Sequence, residues 1–234
     1  IDFLSNGFEL KQSGYAINNL NETYIYLAIA ADPDVTQPVV QNSFDVVTYT
    51  GNGGTQTINT DFKPDLVWIR ERTNAAYSNV YDSIRGNTLL LSTESTSAEY
   101  NQSADAGLES FDSNGFTVDY PNTGNYYNNR NGESYVAWVW KAGDHDDNLP
   151  QINTNGTIDS IVSVNAAAGF SIVKYKGNAT SGSTIGHGLS QAPDLIFIKN
   201  IDKSANYHWT VYSNTPSTGA TGLLYLNLTE PFTV

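Results

Sequence analysis

The side chains that carry most enzyme chemistry are scarce in this chain. Its 234 residues include three histidines and no cysteine or methionine, and no serine lies in the Gly-x-Ser-x-Gly turn of hydrolases. His187 stands between two glycines, where an imidazole most often hydrogen-bonds locally within a tight turn. We therefore predict that the protein is not an enzyme and that it has no cofactor.

A short acidic cluster offers the oxygen ligands that calcium prefers. Its carboxylates belong to Asp144, Asp146 and Asp147. The cluster lacks the glycine and the distal glutamate of a helix-flanked calcium loop. A solvated acidic linker is therefore the simpler interpretation, and a calcium site is the alternative.

Polysaccharide hydrolysis would need two carboxylates facing each other across a cleft. Four acidic residues lie in or beside a segment at 92–106 that lacks periodicity, and these are Glu94, Glu99, Asp105 and Glu109. No motif links them, so we expect an exposed loop with charged side chains. A depolymerase is the least favoured function.

Aromatic side chains in a loop are the strongest indication of binding. Tyr120, Tyr126 and Tyr127 lie in an Asn/Gly-rich loop at 119–132. Rings beside amides can stack on sugars, and loop tyrosines also contact neighbouring subunits. We favour contacts within an assembly and keep recognition of a glycan as the alternative.

The composition excludes several classes of partner. A formal net charge of −13 with only 11 Lys and Arg argues against nucleic acid, because phosphate binding needs clustered cations. No apolar run approaches the roughly 20 residues of a membrane span. The 15 Tyr, 9 Phe and 4 Trp, with many Thr and Val, are typical of an all-β protein.

The same pattern recurs along the chain, and the copies are incomplete. Residues 44–51 resemble residues 170–177, and residues 64–70 resemble residues 193–199, so these are the front parts of two units. The back part at 111–118 and 135–137 resembles residues 3–10 and 24–26. The chain therefore begins with a back part that lacks its front part, and ends with a front part that lacks its back part.

Short β-branched and aromatic runs separated by turn residues predict tandem antiparallel β-sandwiches, of jelly-roll or concanavalin-like type. One complete unit is flanked by two partial ones. The predicted divisions are a back half at 1–31, a linker at 32–42, a complete unit at 43–142, a linker with an extra strand at 143–168, and a front half at 169–234. Trp68, Trp138 and Trp140 lie in predicted strands, and we expect them in the core.

A partial sandwich would leave an apolar face and an open strand edge in water. Three arrangements could cover it: neighbouring repeats of a longer array, strand complementation by the next subunit, or N-terminal strands that fold back within one chain. We favour them in that order. The side chains that would carry such assembly are Phe3, Phe8, Tyr24, Tyr26, Leu224 and Leu226.

Several of these runs resemble a repeated β-domain found in tail-fibre-like and other structural proteins of marine bacteriophages. The matching runs are residues 44–53, 62–69, 81–86, 135–138, 169–175, 185–189 and 192–195. The resemblance implies a virion-associated or extracellular β-sandwich protein that assembles with itself or with other virion proteins. It implies no catalytic residues.

Overall fold

The fold is described from a computed structural model. It describes residues 1–11, 17–29, 43–102, 107–120, 127–143, 151–215 and 220–229. Within these ranges every regular element is a β-strand, and every ladder between named strands is antiparallel. The prediction of an all-β antiparallel protein is confirmed.

Nineteen strands are present in these ranges. They are β1 (Asp2–Leu4), β2 (Gly7–Leu10), β3 (Thr23–Ile29), β4 (Phe44–Thr50), β5 (Gln56–Asn59), β6 (Leu66–Glu71), β7 (Asn79–Asp82), β8 (Gly86–Ser92), β9 (Tyr100–Asn101), β10 (Leu108–Asp112), β11 (Gly115–Val118), β12 (Ser134–Trp140), β13 (Gln151–Asn153), β14 (Ser160–Asn165), β15 (Phe170–Lys176), β16 (Ser183–Gly186), β17 (Leu195–Asn200), β18 (Thr210–Thr215) and β19 (Ala220–Tyr225).

The chain divides into two compact units. The middle unit comprises Val39–Glu94 and Glu99–Ala142, and the terminal unit comprises Ile1–Pro38, Ser95–Ala98 and Gly143–Val234. The middle unit has a six-stranded sheet, β4-β12-β6-β7-β8-β9, and a three-stranded sheet, β10-β11-β5. The terminal unit has a seven-stranded sheet, β13-β14-β15-β3-β17-β18-β19, and a three-stranded sheet, β1-β2-β16.

The two units share one strand arrangement with a different chain order. In the middle unit β12 lies between β4 and β6, and Tyr135 pairs with Tyr49 on one side and with Glu71 on the other. In the terminal unit β3 lies between β15 and β17, and Tyr24 pairs with Tyr175 and Asn200. The terminal unit is therefore a circular permutation of the middle unit.

The N-terminal strands close the terminal unit within the same chain. β3 forms two complete ladders there, and β2 pairs with β16. The two parts that the sequence divides between 1–31 and 169–234 thus belong to one unit. Of the three predicted arrangements, this is the one in which the N-terminal strands fold back, which we had favoured least.

Each unit has its own apolar core between a large and a small sheet. In the middle unit Ile58 and Phe116 of the small sheet lie in one cluster with Val67 and Tyr135 of the large sheet. In the terminal unit the equivalent cluster contains Phe8, Leu10, Tyr24, Tyr26, Tyr175, Ile185 and Ile196. β6 lies between β12 and β7, and its core-face residues are buried while Trp68 and Arg70 on the other face are only half-buried.

The tryptophans of the middle unit are not in this core, so that expectation is wrong. Alternate residues of a strand point to opposite faces, and Tyr135, Ala137 and Val139 take the core face of β12. Trp138 consequently lies on the other face, where its ring centroid is 5.8 Å from that of Trp68. Trp140 similarly contacts Phe44, with ring centroids 4.9 Å apart.

One local expectation also needs correction. The segment at 92–106 contains β9, which pairs with β8, so it is not all loop. The hairpins β1-β2 and β10-β11 each begin their second strand with a glycine that allows close approach of a neighbouring backbone. A Cβ on Gly115 would lie 2.1 Å from the carbonyl oxygen of Ile58, and one on Gly7 would lie 2.2 Å from that of Ile185.

Candidate functional site

Each unit stacks two core tyrosines from neighbouring strands. Tyr49 and Tyr135 are 5.0 Å apart at 13°, and Tyr24 and Tyr175 are 5.2 Å apart at 18°. Tyr49 donates to the carbonyl oxygen of Asn128 at 2.5 Å, and Tyr175 donates to that of Ile17 at 2.7 Å. Burial raises the pKa of Tyr49 and Tyr175 well above the ordinary value, so these hydroxyls stay neutral donors.

The other tyrosine of each pair, Tyr135 or Tyr24, links a buried glutamate to a loop. The Tyr135 hydroxyl accepts from the Arg130 amide at 2.9 Å and donates to Glu71 at 3.2 Å. The Tyr24 hydroxyl accepts from the Asn19 amide at 2.9 Å and donates to Glu22 at 3.4 Å. Each carboxylate therefore stabilises the loop that leads into a central strand.

A buried asparagine completes this arrangement, which we call the tyrosine clamp. Asn129 accepts from the Asn52 amide at 3.0 Å, and Asn18 accepts from the Asn178 amide at 2.8 Å. Both accepting side chains are fully buried. Sequence reasoning missed these residues, although the repeated Gly-Asn pairs at 51–52 and 177–178 are a signal that could have found them.

The loop tyrosines are only partly available to a ligand. Tyr120 and Tyr127 are nearly parallel, with centroids 6.1 Å apart at 14°. The Arg130 guanidinium lies over Tyr127, 3.6 Å from the ring centroid, a distance typical of a cation–π contact. One face of Tyr127 is thus covered. Tyr126 lies outside the described residues.

No group of three or more potential metal ligands occurs in the described ranges. The calcium candidates Asp144, Asp146 and Asp147 lie outside those ranges. Among the loop carboxylates, Glu94 accepts from the Ser78 amide at 2.8 Å and the Ser78 hydroxyl at 2.7 Å, and it pairs with Arg70. Its contacts are those of a structural residue.

The predicted assembly residues have different environments. Phe8, Tyr24 and Tyr26 are fully buried in the core of the terminal unit, and Phe3 packs against that core. Leu224 and Leu226 are each 37% exposed. Because β3 is an inner strand, its side chains stabilise the chain's own fold and are not free to contact a neighbouring subunit.

His187 is a buried titratable side chain directly after β16, in the small sheet of the terminal unit. It is 0% exposed, and its Nδ1 accepts from the Leu189 amide at 3.0 Å, as the turn predicted. Burial lowers the pKa of His187, and an interaction with the Leu4 backbone opposes part of that shift. The folded unit therefore holds a neutral imidazole.

The terminal unit is expected to lose stability as the pH falls from 7 to 5. The unfolded imidazole has a pKa of about 6.5, and the folded pKa is lower, so the unfolded chain binds more protons below that pH. The stabilisation is complete above about pH 6.5 and decreases by up to about 1.4 kcal/mol per pH unit below it. Urea unfolding followed by Trp209 fluorescence measures this slope.

His187→Thr is the matched variant for this prediction. Thr60 occupies the same place in the middle unit. Its backbone amide donates to the carbonyl oxygen of Asn114 at 2.7 Å, and the backbone amide of His187 donates to that of Asn6 at 3.4 Å. The threonine variant should flatten the slope between pH 7 and 5. Equal slopes for wild type and His187→Thr would contradict the prediction.

Comparison with known proteins supports a family assignment. No curated protein and no solved structure matches the chain. No helix in the part of the chain that the structure describes is long and apolar enough to cross a membrane. The sequence model of one family matches residues 40–234, which is most of the 234-residue chain. The chain therefore belongs to the family described as a domain of unknown function, DUF7483.

Proposed function

We propose that the chain is a non-enzymatic structural module of a virus particle or extracellular fibre. The observation that carries this proposal is the duplication of the tyrosine clamp. Two units with different chain order keep the same stacked tyrosines and the same buried asparagine. Each also has a buried carboxylate that accepts from a clamp tyrosine, although Glu71 lies on β6 and Glu22 in the loop before β3. Buried polar groups that are fully hydrogen-bonded favour one rigid structure, which is the property that a repeated building block needs.

Assembly in this proposal does not require exchange of the N-terminal strands. β3 already has a neighbour on each side within its own chain. Partners are other copies of the chain or other virion proteins, and they would contact surfaces of closed units. Closed antiparallel units also limit the number of open strand edges, which reduces uncontrolled aggregation.

An antibody raised against the chain tests the proposal on particles and fibres purified from its natural source. Immunogold electron microscopy should show label at a regular position on the assemblies. The purified chain should release no reducing ends from a panel of polysaccharides. Chain found only in the soluble fraction, or turnover of any polysaccharide, would contradict the structural role.

Recognition of a host carbohydrate is the second candidate. It is favoured by the nearly parallel rings of Tyr120 and Tyr127, because flat aromatic surfaces stack on the apolar face of sugars. An array of neutral glycans should retain the wild-type chain and should not retain Tyr120→Ala. Retention that is identical in both proteins would remove these rings from consideration.

A further inference from the structure

A surface groove of about 430 Å³ lies on the terminal unit. We call it the lysine groove. The residues used below are Thr23, Ile152, Asp159, Ile161, Lys174 and Lys176. They come from β3, β13, β14 and β15 and from the residue just before β14, so the groove is built on adjacent strands of one sheet.

The floor of the groove is apolar and follows the strand register. Ile152 pairs with Ile161, Ile161 pairs with Lys174, and Lys174 pairs with Ile25. These residues point away from the core, because Tyr175 and Val173 take the core face of β15. Ile152 is 76% exposed, which is unusual for an isoleucine and leaves a hydrophobic surface open to solvent.

The rim of the groove carries two cations and one carboxylate. Lys174 and Lys176 lie on the same face of β15, two residues apart. Neither forms an ion pair with a carboxylate of the described residues. The chain has 24 acidic residues and only 11 Lys and Arg, so two neighbouring lysines beside one apolar surface are a local exception to its charge.

Two of the strands that build the groove, β13 and β14, have no counterpart among the described strands of the middle unit. β14 pairs with β15 along the edge, whereas the equivalent β4 pairs with β12 alone among the described strands. The places of Lys174 and Lys176 in β15 are taken in β4 by Thr48 and Thr50, as the shared pairing with β3 and β12 shows. The lysines are thus not required by the fold.

The combination of groups selects one class of ligand. A fatty acid would satisfy the isoleucines and a lysine but would leave Asp159 beside its tail. A polyphosphate would be repelled by Asp159 and would leave the apolar floor exposed to water. A neutral sugar would leave both ammonium groups without an anion. A sugar with a carboxylate has an apolar C–H face, hydroxyl donors for Asp159 and an anion for the lysines.

We propose that the lysine groove binds an acidic saccharide, with Lys174 and Lys176 contacting its carboxylate and Ile152 and Ile161 packing against a sugar ring. The Asp159 carboxylate accepts hydrogen bonds from the sugar hydroxyls, and the Thr23 hydroxyl donates to them or accepts from them. The groove volume accommodates a unit of one or two sugars. This inference deepens the carbohydrate-binding candidate and places recognition on the terminal unit, apart from Tyr120 and Tyr127.

Titration of the full chain with trigalacturonic acid tests the proposal, with maltotriose as the neutral probe. In ¹⁵N–¹H spectra, trigalacturonic acid should shift the amides of Ile161, Lys174 and Thr23 saturably, and maltotriose should not. Raising the salt from about 0.05 M to about 0.5 M should weaken binding, because the ammonium–carboxylate attraction is screened.

Lys174→Thr and Lys176→Thr are the matched variants, since the middle unit carries threonine at both places. Each should weaken binding about tenfold, the effect expected of one charge-assisted hydrogen bond. Lys203→Ala removes the same charge from an exposed turn of the same unit and should change binding less than twofold, the range of a distant screened charge. Spectra of the free variants establish that they are folded.

Three results would overturn the proposal: no binding of trigalacturonic acid, equal binding by Lys174→Thr and wild type, or shifts confined to the amides of Tyr120 and Tyr127. The last result would favour the loop tyrosines as the carbohydrate site. None of these outcomes bears on the location of the chain in particles, so the structural proposal is tested separately.

Discussion

Deletion of residues 1–30 is expected to unfold the terminal unit and to leave the middle unit folded. β3 is an inner strand with seven paired residues facing β15 and six facing β17, and its removal opens both ladders. It also removes Phe8, Tyr24 and Tyr26 from the core. Trp209 reports on the terminal unit, and Trp68, Trp138 and Trp140 report on the middle unit, so fluorescence can follow the two separately.

A single substitution tests the same prediction without shortening the chain. Tyr26 is fully buried, and its ring meets that of Phe8 at 4.7 Å. Tyr26→Ala should lower the free energy of unfolding of the terminal unit by about 3–5 kcal/mol, as for other large aromatic side chains in a core. Leu20→Ala is the control from the same segment, because Leu20 is 63% exposed and should change stability by less than about 0.5 kcal/mol.

The source of β3 is tested by size-exclusion chromatography across a range of concentrations. If β3 pairs within its own chain, exchange of this strand between chains adds no concentration-dependent increase in the size of the protein. The deleted chain should regain the Trp209 transition when a peptide of residues 1–30 is added. A terminal unit that unfolds cooperatively without residues 1–30, or a wild-type chain that forms polymers abolished by the deletion, would contradict pairing within the chain.

Asp82→Ala is expected to destabilise the middle unit by about 3 kcal/mol, the low end of the usual cost of removing one partner of a buried ion pair, because Glu99 still lies 3.7 Å from the Arg85 guanidinium. Asp82 and Arg85 are almost fully buried, and the Arg85 Nε donates to Asp82 at 2.5 Å. Arg85 also donates to the carbonyl oxygens of Leu89 at 2.9 Å and Val80 at 3.1 Å. Its guanidinium cannot reach solvent without opening β7 and β8.

The same aspartate shapes the turn between those strands. Its Oδ1 accepts from the amides of Ile84 at 3.1 Å and Arg85 at 2.9 Å, and Gly86 follows with φ 105. The run at 81–86, which contributed to the family resemblance, is therefore a structural turn. Urea unfolding followed by the tryptophans of the middle unit measures the loss.

Two further variants distinguish the buried charge from other effects of substitution. Asp61→Ala changes an exposed residue of the same unit and should leave stability within about 0.5 kcal/mol. Adding Arg85→Met to Asp82→Ala should recover part of the loss, because the buried guanidinium is then gone and the Glu99 side chain that it leaves is 26% exposed. Equal stability of Asp82→Ala and Asp61→Ala would contradict the role of the pair.

Strand positions were predictable where alternation or continuous burial leaves a clear pattern. β6 has a continuous apolar run at 66–69, and it has neighbouring strands on both sides. The tryptophans were wrongly assigned to the core, because periodicity separates the two faces of a strand without showing which face packs against the small sheet. The tyrosine clamp was missed for another reason: Glu71 and Asn129 are polar, and polar side chains are ordinarily assigned to the surface.

The sequence by itself determined the all-β class, the repeated unit and the complementary content of the two chain ends. Only the tertiary structure decided that one chain supplies both parts of the terminal unit. A period of two specifies which side chains share a face, but strand neighbours depend on pairing between distant segments. Closing even a long loop within one chain costs free energy that grows only slowly with its length. The open edge that the sequence predicts is therefore filled by the chain's own β3.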